Sequence, residues 1–201
     1  MRLLVASSNP GKLREYRALA SQDAPSFPVE LDLLPNFSRL PPFDESAPTF
    51  AENAAGKALH FSRFADEAVL ADDSGLAVDA LGGAPGVHSA RYAGANASDA
   101  ERVTRLLAEL RAGGATSRRA KFVCVLALAR KGRALGIFSG AVQGEITDSP
   151  RGAGGFGYDP VFFIPALGKT FAEIPGESKN LYSHRGKAFR KLLDFLASSP
   201  I

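Results

Sequence analysis

Short apolar runs alternate with helix-spaced segments along this chain, the pattern of an α/β protein. Leu3-Leu4-Val5-Ala6 reads as a first strand. Asn9 as cap and Pro10 at the first helical position open a helix, along which Leu13, Tyr16 and Ala20 recur. Val29 to Leu33 alternates like a second strand, and a proline-rich loop runs from Pro35 to Pro48. Thr49 and Glu52 pair as a capping box and open a helix to about Phe64, which gives Glu52 a structural job. Ala68-Val69-Leu70-Ala71 reads as a buried strand that ends on two acids, Asp72 and Asp73, with a small turn after them. Ser98 and Glu101 cap a further helix to about Leu110, closed by Gly113-Gly114. Phe122 to Leu128 is a central strand. Leu135 to Phe138 and Ala141 to Ile146 read as a hairpin bent near Gly140. Val161 to Ile164 is a strand, and the last helix runs from Ser183 to about Ala197 with Phe189, Leu192, Leu193 and Leu196 inward.

At 201 residues the chain fits one domain, 1–201, and its 45% hydrophobic content is ordinary for a soluble protein. No apolar stretch approaches the roughly 20 residues of a membrane helix, so no membrane partner is expected. Met1 to Ala6 is too short for a signal peptide. One cysteine, Cys124, excludes a disulfide framework and a multi-cysteine zinc site, which makes the cytoplasm the default compartment. Net charge is +3 and the basic residues are scattered, apart from Arg118-Arg119-Ala120-Lys121. That cluster reads as a solvated strand entrance, and no stable nucleic-acid partner is expected. A mildly basic surface suits small anionic substrates.

Four segments carry chemistry. Ser7-Ser8-Asn9-Pro10-Gly11-Lys12 joins a strand to a helix, where free amides attract phosphate; Lys12 in a first turn is the wrong sign for the helix dipole unless an anion binds. Asp72-Asp73-Ser74-Gly75 offers carboxylates for Mg²⁺, and Glu45 joins them if the proline-rich loop folds back. Gly154-Gly155-Phe156-Gly157-Tyr158-Asp159-Pro160 lets backbone approach a ligand, places Phe156 to stack on a base, and gives Asp159 a hydrogen bond to orient. Ser183-His184-Arg185 opens a helix with two basic side chains, and Lys179 lies just upstream. Lys57 falls on the stripe of Phe50, Ala54 and Phe61, where it either snorkels out or meets an anion in a polar cleft. Each segment also has a plain structural reading: a strand–helix turn, a solvated acidic turn, a glycine-rich β-turn with a buried aromatic. His60 and His88 are read as structural.

In this order and at these separations, the segments resemble the inosine/xanthosine triphosphate pyrophosphatase family. The matching stretches are Ser-Asn-Pro-Gly-Lys, Thr-Phe-Ala-Glu-Asn-Ala, the long run from Ala71 to Gly86, Gly-Gly-Phe-Gly-Tyr-Asp-Pro and Ser-His-Arg-Gly. The resemblance spans Ser7 to Arg185. It implies that Ser7, Ser8, Asn9, Pro10, Gly11 and Lys12 bind a triphosphate. It implies that Asp73 is general base and metal ligand with Asp72 beside it, that Glu45 is a second metal ligand, and that Ser74 contacts substrate. Phe156, Gly157, Tyr158, Asp159, Lys179, His184 and Arg185 would hold the nucleotide. Ser8 stands where relatives often carry glycine. The implied fold is a single α/β domain with a long, mixed, twisted sheet flanked by helices, in two lobes with the site in the cleft between them. The implied protein is a homodimer that uses Mg²⁺ to hydrolyse non-standard purine nucleoside triphosphates (ITP, dITP, XTP) to the monophosphate and pyrophosphate, Lys12, Lys57 and Lys179 stabilising the leaving group. Its rivals are a pyrophosphatase of modified pyrimidine nucleotides and a non-catalytic nucleotide sensor or RNA-binding module.

Overall fold

The apolar runs of the sequence become the strands of one sheet. The computed structural model describes residues 1–23, 27–114 and 116–198. In chain order the elements are β1 (Arg2–Val5), α1 (Pro10–Gln22), β2 (Glu30–Leu33), α2 (Phe50–Phe61), β3 (Ala68–Val78), α3 (Asp99–Ala112), β4 (Arg119–Arg130), β5 (Arg133–Ile146), β6 (Phe162–Ile164), β7 (Lys169–Thr170), α4 (Gly176–Tyr182) and α5 (His184–Ser198), with short 3₁₀ turns between them. The seven strands form a mixed sheet in the order β2-β1-β3-β4-β5-β6-β7. β1 runs parallel to β2 and β3, whereas β6 is antiparallel to β5 and β7. Helices flank this sheet, as the α/β reading expects.

Capping residues start the helices where the sequence places them. The Asn9 side chain accepts from Gly11 N at 2.8 Å. Thr49 Oγ1 accepts from Glu52 N at 3.2 Å, and Ser98 and Glu101 close a reciprocal capping box. Each such cap contributes about 1 kcal/mol. The α-helix begun at Phe50 stops at Phe61 and tightens into a 3₁₀ turn through Phe64.

Contacts divide the chain into two compact units. The first comprises Met1–Asp73, Cys124–Gly140 and the segment from His184 on. Its core gathers Leu3, Val5, Leu70 and Leu126 from strands with Tyr16, Leu19, Phe189 and Leu192 from α1 and α5. Tyr16 and Phe189 pack with ring centroids 5.4 Å apart. The second comprises Ser74–Val123 and Ala141–Ser183. Its core centres on Phe122, Phe162 and Phe171, with Leu76, Leu106 and Leu110.

Two local expectations fail. The acids at 72 and 73 do not emerge at a strand's end, and no turn follows them: β3 runs on through Ser74 and Gly75 to Val78. Leu76 and Val78, fully buried, continue the strand pattern and supply the reason. The hairpin bent at Gly140 is instead one 14-residue strand, β5. Gly140 is small because α5 crosses it closely. A Cβ there would collide with the backbone oxygen of His184 and lie 2.6 Å from Ala188 N. The helix α4, ahead of Ser183, has too few periodic positions to be read from sequence.

Gly140→Ala is therefore expected to lower stability by about 1–3 kcal/mol, the cost of forcing an atom into a packed interior. Urea denaturation measures it. An unchanged midpoint would show that α5 does not rest on this glycine.

Candidate active site

Alternation along a strand sends consecutive side chains to opposite faces, so Asp72 and Asp73 serve different surroundings. Asp72 is 2% exposed. Its Oδ1 accepts from Lys12 Nζ at 2.7 Å, and its Oδ2 from Arg185 Nε at 3.1 Å and from the Tyr16 hydroxyl. Cys124 Sγ stands 3.9 Å from the same oxygen. Arg185 is held from behind by Glu15, Nη1 to Oε2 at 2.7 Å. Burial alone would raise the pKa of Asp72. The charges of Lys12 and Arg185, with hydrogen bonds from Lys12 and Tyr16, outweigh it and hold the carboxyl far below the ordinary range. Burial, with Asp72 beside it, pushes the Tyr16 phenol up, so it stays a donor. Burial likewise pushes up the Cys124 thiol.

Asp73 is 7% exposed, and its Oδ2 finds no hydrogen-bond donor among the described residues. Its pKa is raised from 3.8 to about 6: burial contributes most, the nearby charges of Glu45 and Asp72 add to it, and a hydrogen bond from Asn53 and the charge of Lys12 oppose it. Glu45 does come back from the proline-rich loop, and its carboxylate pairs with Lys57. Lys57 Nζ also reaches the Asp72 carbonyl oxygen at 3.5 Å. The anion that Lys57 was expected to meet is thus, in this structure, the protein's own Glu45. An orphaned carboxylate oxygen with a second carboxylate's field on it suits a hard divalent cation. Among the described residues no group of three or more His, Cys, Asp or Glu forms a closed cage. Hard divalent cations can be held by one or two carboxylates, with the remaining positions kept for water and phosphate.

At the start of α1, Ser7 is buried while Ser8, Asn9 and Pro10 are exposed. Two of the amides expected to be free for phosphate are already occupied, Asn9 N by Ser7 Oγ at 3.1 Å and Gly11 N by Asn9 Oδ1. Lys12 is aimed back at Asp72, which removes the electrostatic penalty of its place in the first turn.

In the second unit the glycine-rich segment folds around Asp159, which is buried. Its carboxylate accepts from Phe156 N at 2.9 Å and from Lys179 Nζ at 2.6 Å. The same ammonium lies 5.0 Å from the centre of the Phe156 ring, within cation–π range. Gly155, at φ 71°, is where a Cβ would strike the Asp159 carboxylate. Gly157 N donates to Asp99 Oδ2 at 2.6 Å, and the Tyr158 hydroxyl to Ser89 O at 2.9 Å. Phe156 is left half-buried. Ser74, also half-buried, is the first residue of this unit and follows Asp73 directly in β3. In this structure Lys179 and Asp159 hold the aromatic. Arg185 is likewise committed to Asp72 and Glu15, although its fork reads from sequence as a partner for base or phosphate. His184, beside it at the start of α5, is buried.

Sequence reasoning missed Tyr16, Glu15 and Asn53. Tyr16 reads as core from its spacing, and its hydroxyl carries no signal in the sequence. Asn53 stands four residues before Lys57 and so on its face of α2, a signal that was available.

A model of the Ham1 family matches residues 3–195. The dITP/XTP pyrophosphatase of Geobacillus kaustophilus is 48% identical over 190 residues, covering 94% of this chain and 91% of that protein. The dITP/XTP pyrophosphatase of Gloeobacter violaceus is 49% identical over 197 residues, covering 95% and 92%. Among solved structures, the HAM1 protein from Coxiella burnetii superposes with a TM-score of 0.87 at 40% identity, covering 99% of this chain and all of that one. The Staphylococcus aureus Ham1 protein gives 0.84 at 38%, covering 98% and 99%.

The raised pKa of Asp73 makes a stability prediction with a definite sign. Above about pH 6 the folded chain must hold a carboxylate that the unfolded chain ionises more easily; below about pH 4 both carry the proton and the penalty disappears. In metal-free protein, Asp73→Asn should therefore stabilise by on the order of 2–3 kcal/mol at pH 8, with the gain shrinking toward pH 4. Denaturation midpoints across pH in the presence of chelator decide it; a variant less stable than the parent at pH 8 contradicts the assignment.

Proposed function

The chain belongs to the Ham1 family, and from that premise we propose that it hydrolyses non-standard purine nucleoside triphosphates, ITP, dITP and XTP, to the monophosphate and pyrophosphate. The observation that carries the reading is the contrast between two adjacent acids: Asp72 saturated by Lys12, Arg185 and Tyr16, Asp73 buried with an oxygen to spare. Similarity to proteins named dITP/XTP pyrophosphatase supports the substrate class.

Asp73 is the general base. It takes a proton from a water whose oxygen bonds to the α-phosphorus, as the bond from that phosphorus to the β-bridging oxygen breaks and pyrophosphate departs. A pKa near 6 leaves the carboxylate ionised at neutral pH and basic enough for that transfer. Mg²⁺, held by Asp73 and Glu45 when bound, would supply charge neutralisation to the triphosphate and lower the pKa of the attacking water. Lys12 and Lys57 add fixed positive charge to the triphosphate end, and the exposed start of α1 offers its remaining amides there. Asp72 acts as a positioning residue, since its oxygens already hold Lys12 and Arg185.

The base stacks on Phe156, whose ring Lys179 and Asp159 hold in place. Hydrogen-bond donors aimed at the 6-carbonyl of hypoxanthine or xanthine meet an unmatched amine in adenine, a discrimination that hydrogen-bonded pockets make strongly. Family resemblance also supports a homodimer of single-domain subunits, and the soluble cytoplasmic nucleotide pool as the place of action.

Pyrophosphate release from dITP, XTP, GTP and ATP tests the reading. Rates for dITP and XTP should exceed that for ATP by orders of magnitude, and Asp73→Asn should lose roughly 10²–10⁴-fold in kcat. Equal rates on dITP and ATP refute the selectivity; a fully active variant refutes the base.

A further inference from the structure

Phe156 stands between two glycines whose backbones both lie in the left-handed region, Gly155 at φ 71° and Gly157 at φ 64°. Glycine loses more conformational freedom on folding than any other residue. A ring carried between two of them keeps one place only where the main chain on either side is held. Ahead of it, Gly154 N donates to Ala172 O at 3.0 Å. Behind it, Gly157 N donates to Asp99 Oδ2 at 2.6 Å. Phe156 N donates to Asp159 Oδ2 at 2.9 Å, and Asp159 N returns to Phe156 O at 3.3 Å. That last pair closes a turn inside the segment and travels with it.

Asp99 belongs to a different part of the second unit. It is the first residue of α3 and lies 58 positions ahead of Gly157 in the chain. Val103, Leu106, Leu107 and Leu110 seat α3 in the second core. Arg102 aims the carboxylate: its Nη1 donates to Asp99 Oδ1 at 2.7 Å while its Nη2 donates to Ala97 O. One oxygen thus faces its own helix, and the other grips the main chain next to Phe156. The Tyr158 hydroxyl also leaves the segment, for Ser89 O, but it does so from the end of a side chain. The helix dipole favours an acid in a first turn. It does not account for a bond from that acid to an amide of another segment.

We propose that Asp99 is a positioning residue: by accepting from the Gly157 amide it fixes the Phe156 ring as a platform for a purine base, and so governs affinity for the base rather than for the phosphate chain. The purpose rests on the proposed stacking of the substrate base on Phe156, whereas the tie from α3 to the segment stands without it. A platform that must be ordered at each binding event costs affinity, and one held in advance does not.

The tie and its purpose are measured separately. Amide hydrogen exchange at Gly157, followed by NMR in ligand-free protein, should speed up in Asp99→Ala by roughly 5–30-fold, the range for a hydrogen bond to a charged group partly open to water. Binding of inosine monophosphate, by calorimetry, should weaken by about the same factor. Inorganic pyrophosphate, which has no base to stack, should bind as it does to the parent. Asp99→Glu keeps the charge at the helix start but carries the oxygens a methylene further out; it should lose inosine monophosphate affinity in the same direction, and serves if the alanine variant fails to fold. Ser98→Ala removes the neighbouring cap of α3 without touching Gly157 and should leave that affinity unchanged. In the hydrolysis assay the Asp99 variants should raise KM for dITP while kcat holds, the sign of an interaction equal in ground and transition states. Unchanged exchange at Gly157 overturns the assignment. So do parental inosine monophosphate affinity in folded Asp99 variants, equal losses for inosine monophosphate and pyrophosphate, an equal loss in Ser98→Ala, or a parent that binds no inosine monophosphate. A parent that binds it yet releases no pyrophosphate from any purine triphosphate sinks the proposed function alone; one that hydrolyses dITP while the Asp99 variants bind the monophosphate normally sinks only this inference.

Discussion

A carboxylate cannot be buried alone, and Asp72 is buried in the middle of a strand. Leaving a charge there unpaired would cost several kcal/mol, so the fold must bring cations to it. Lys12 arrives from the first turn of α1 and Arg185 from the first turn of α5, with the Tyr16 hydroxyl between them. That requirement ties β3 to two helices at their N-terminal ends, where the helix dipole disfavours cations. The arrangement costs more than a hydrophobic core of the same volume would. What it gains is orientation: an ammonium and a guanidinium at fixed places, both otherwise long and mobile.

Adjacent acids are thereby driven apart in character. Asp72 keeps its proton off over the whole working range because cations surround it. Asp73, one residue on and facing the other way, is buried among groups that mostly disfavour its charge. Two titratable groups with opposed environments mark an acid–base site more reliably than either does singly. The second unit repeats the device for another purpose. Asp159 and Lys179 pair inside it, and their joint product is a half-buried Phe156 pinned by its backbone N–H donating to Asp159 and by a cation over its ring.

Legibility in the sequence followed the range of the forces involved. Caps at Asn9, Thr49 and Ser98 were readable because their chemistry is settled within four residues. The α/β class was readable because apolar runs survive in any context. The continuous path of β3 through Asp72 to Gly75 was not, because two acids and a glycine close together mimic a turn until Arg185, over a hundred residues away, pairs with the first of them. Gly140 misled for the same reason: its small size answers to α5, not to a bend. The residue types of the site were legible through the resemblance, whereas their division of labour was not. Lys179, Lys12 and Arg185 all read as phosphate or base ligands, yet each is held by a buried carboxylate.

Asp73 is the group that stability alone does not explain. An asparagine there would keep the volume, drop the charge and spare the chain the cost of a carboxylate held among Glu45 and Asp72. The neighbouring cations do not remedy the defect either: Lys57 is spent on Glu45 and Lys12 on Asp72. A chain that satisfies Asp72 so thoroughly has the means to satisfy Asp73, and leaves one of its oxygens without a donor among the described residues. Strain kept at one atom while everything around it is relieved is the mark of a site completed by something from outside, and a divalent cation held there would relieve it.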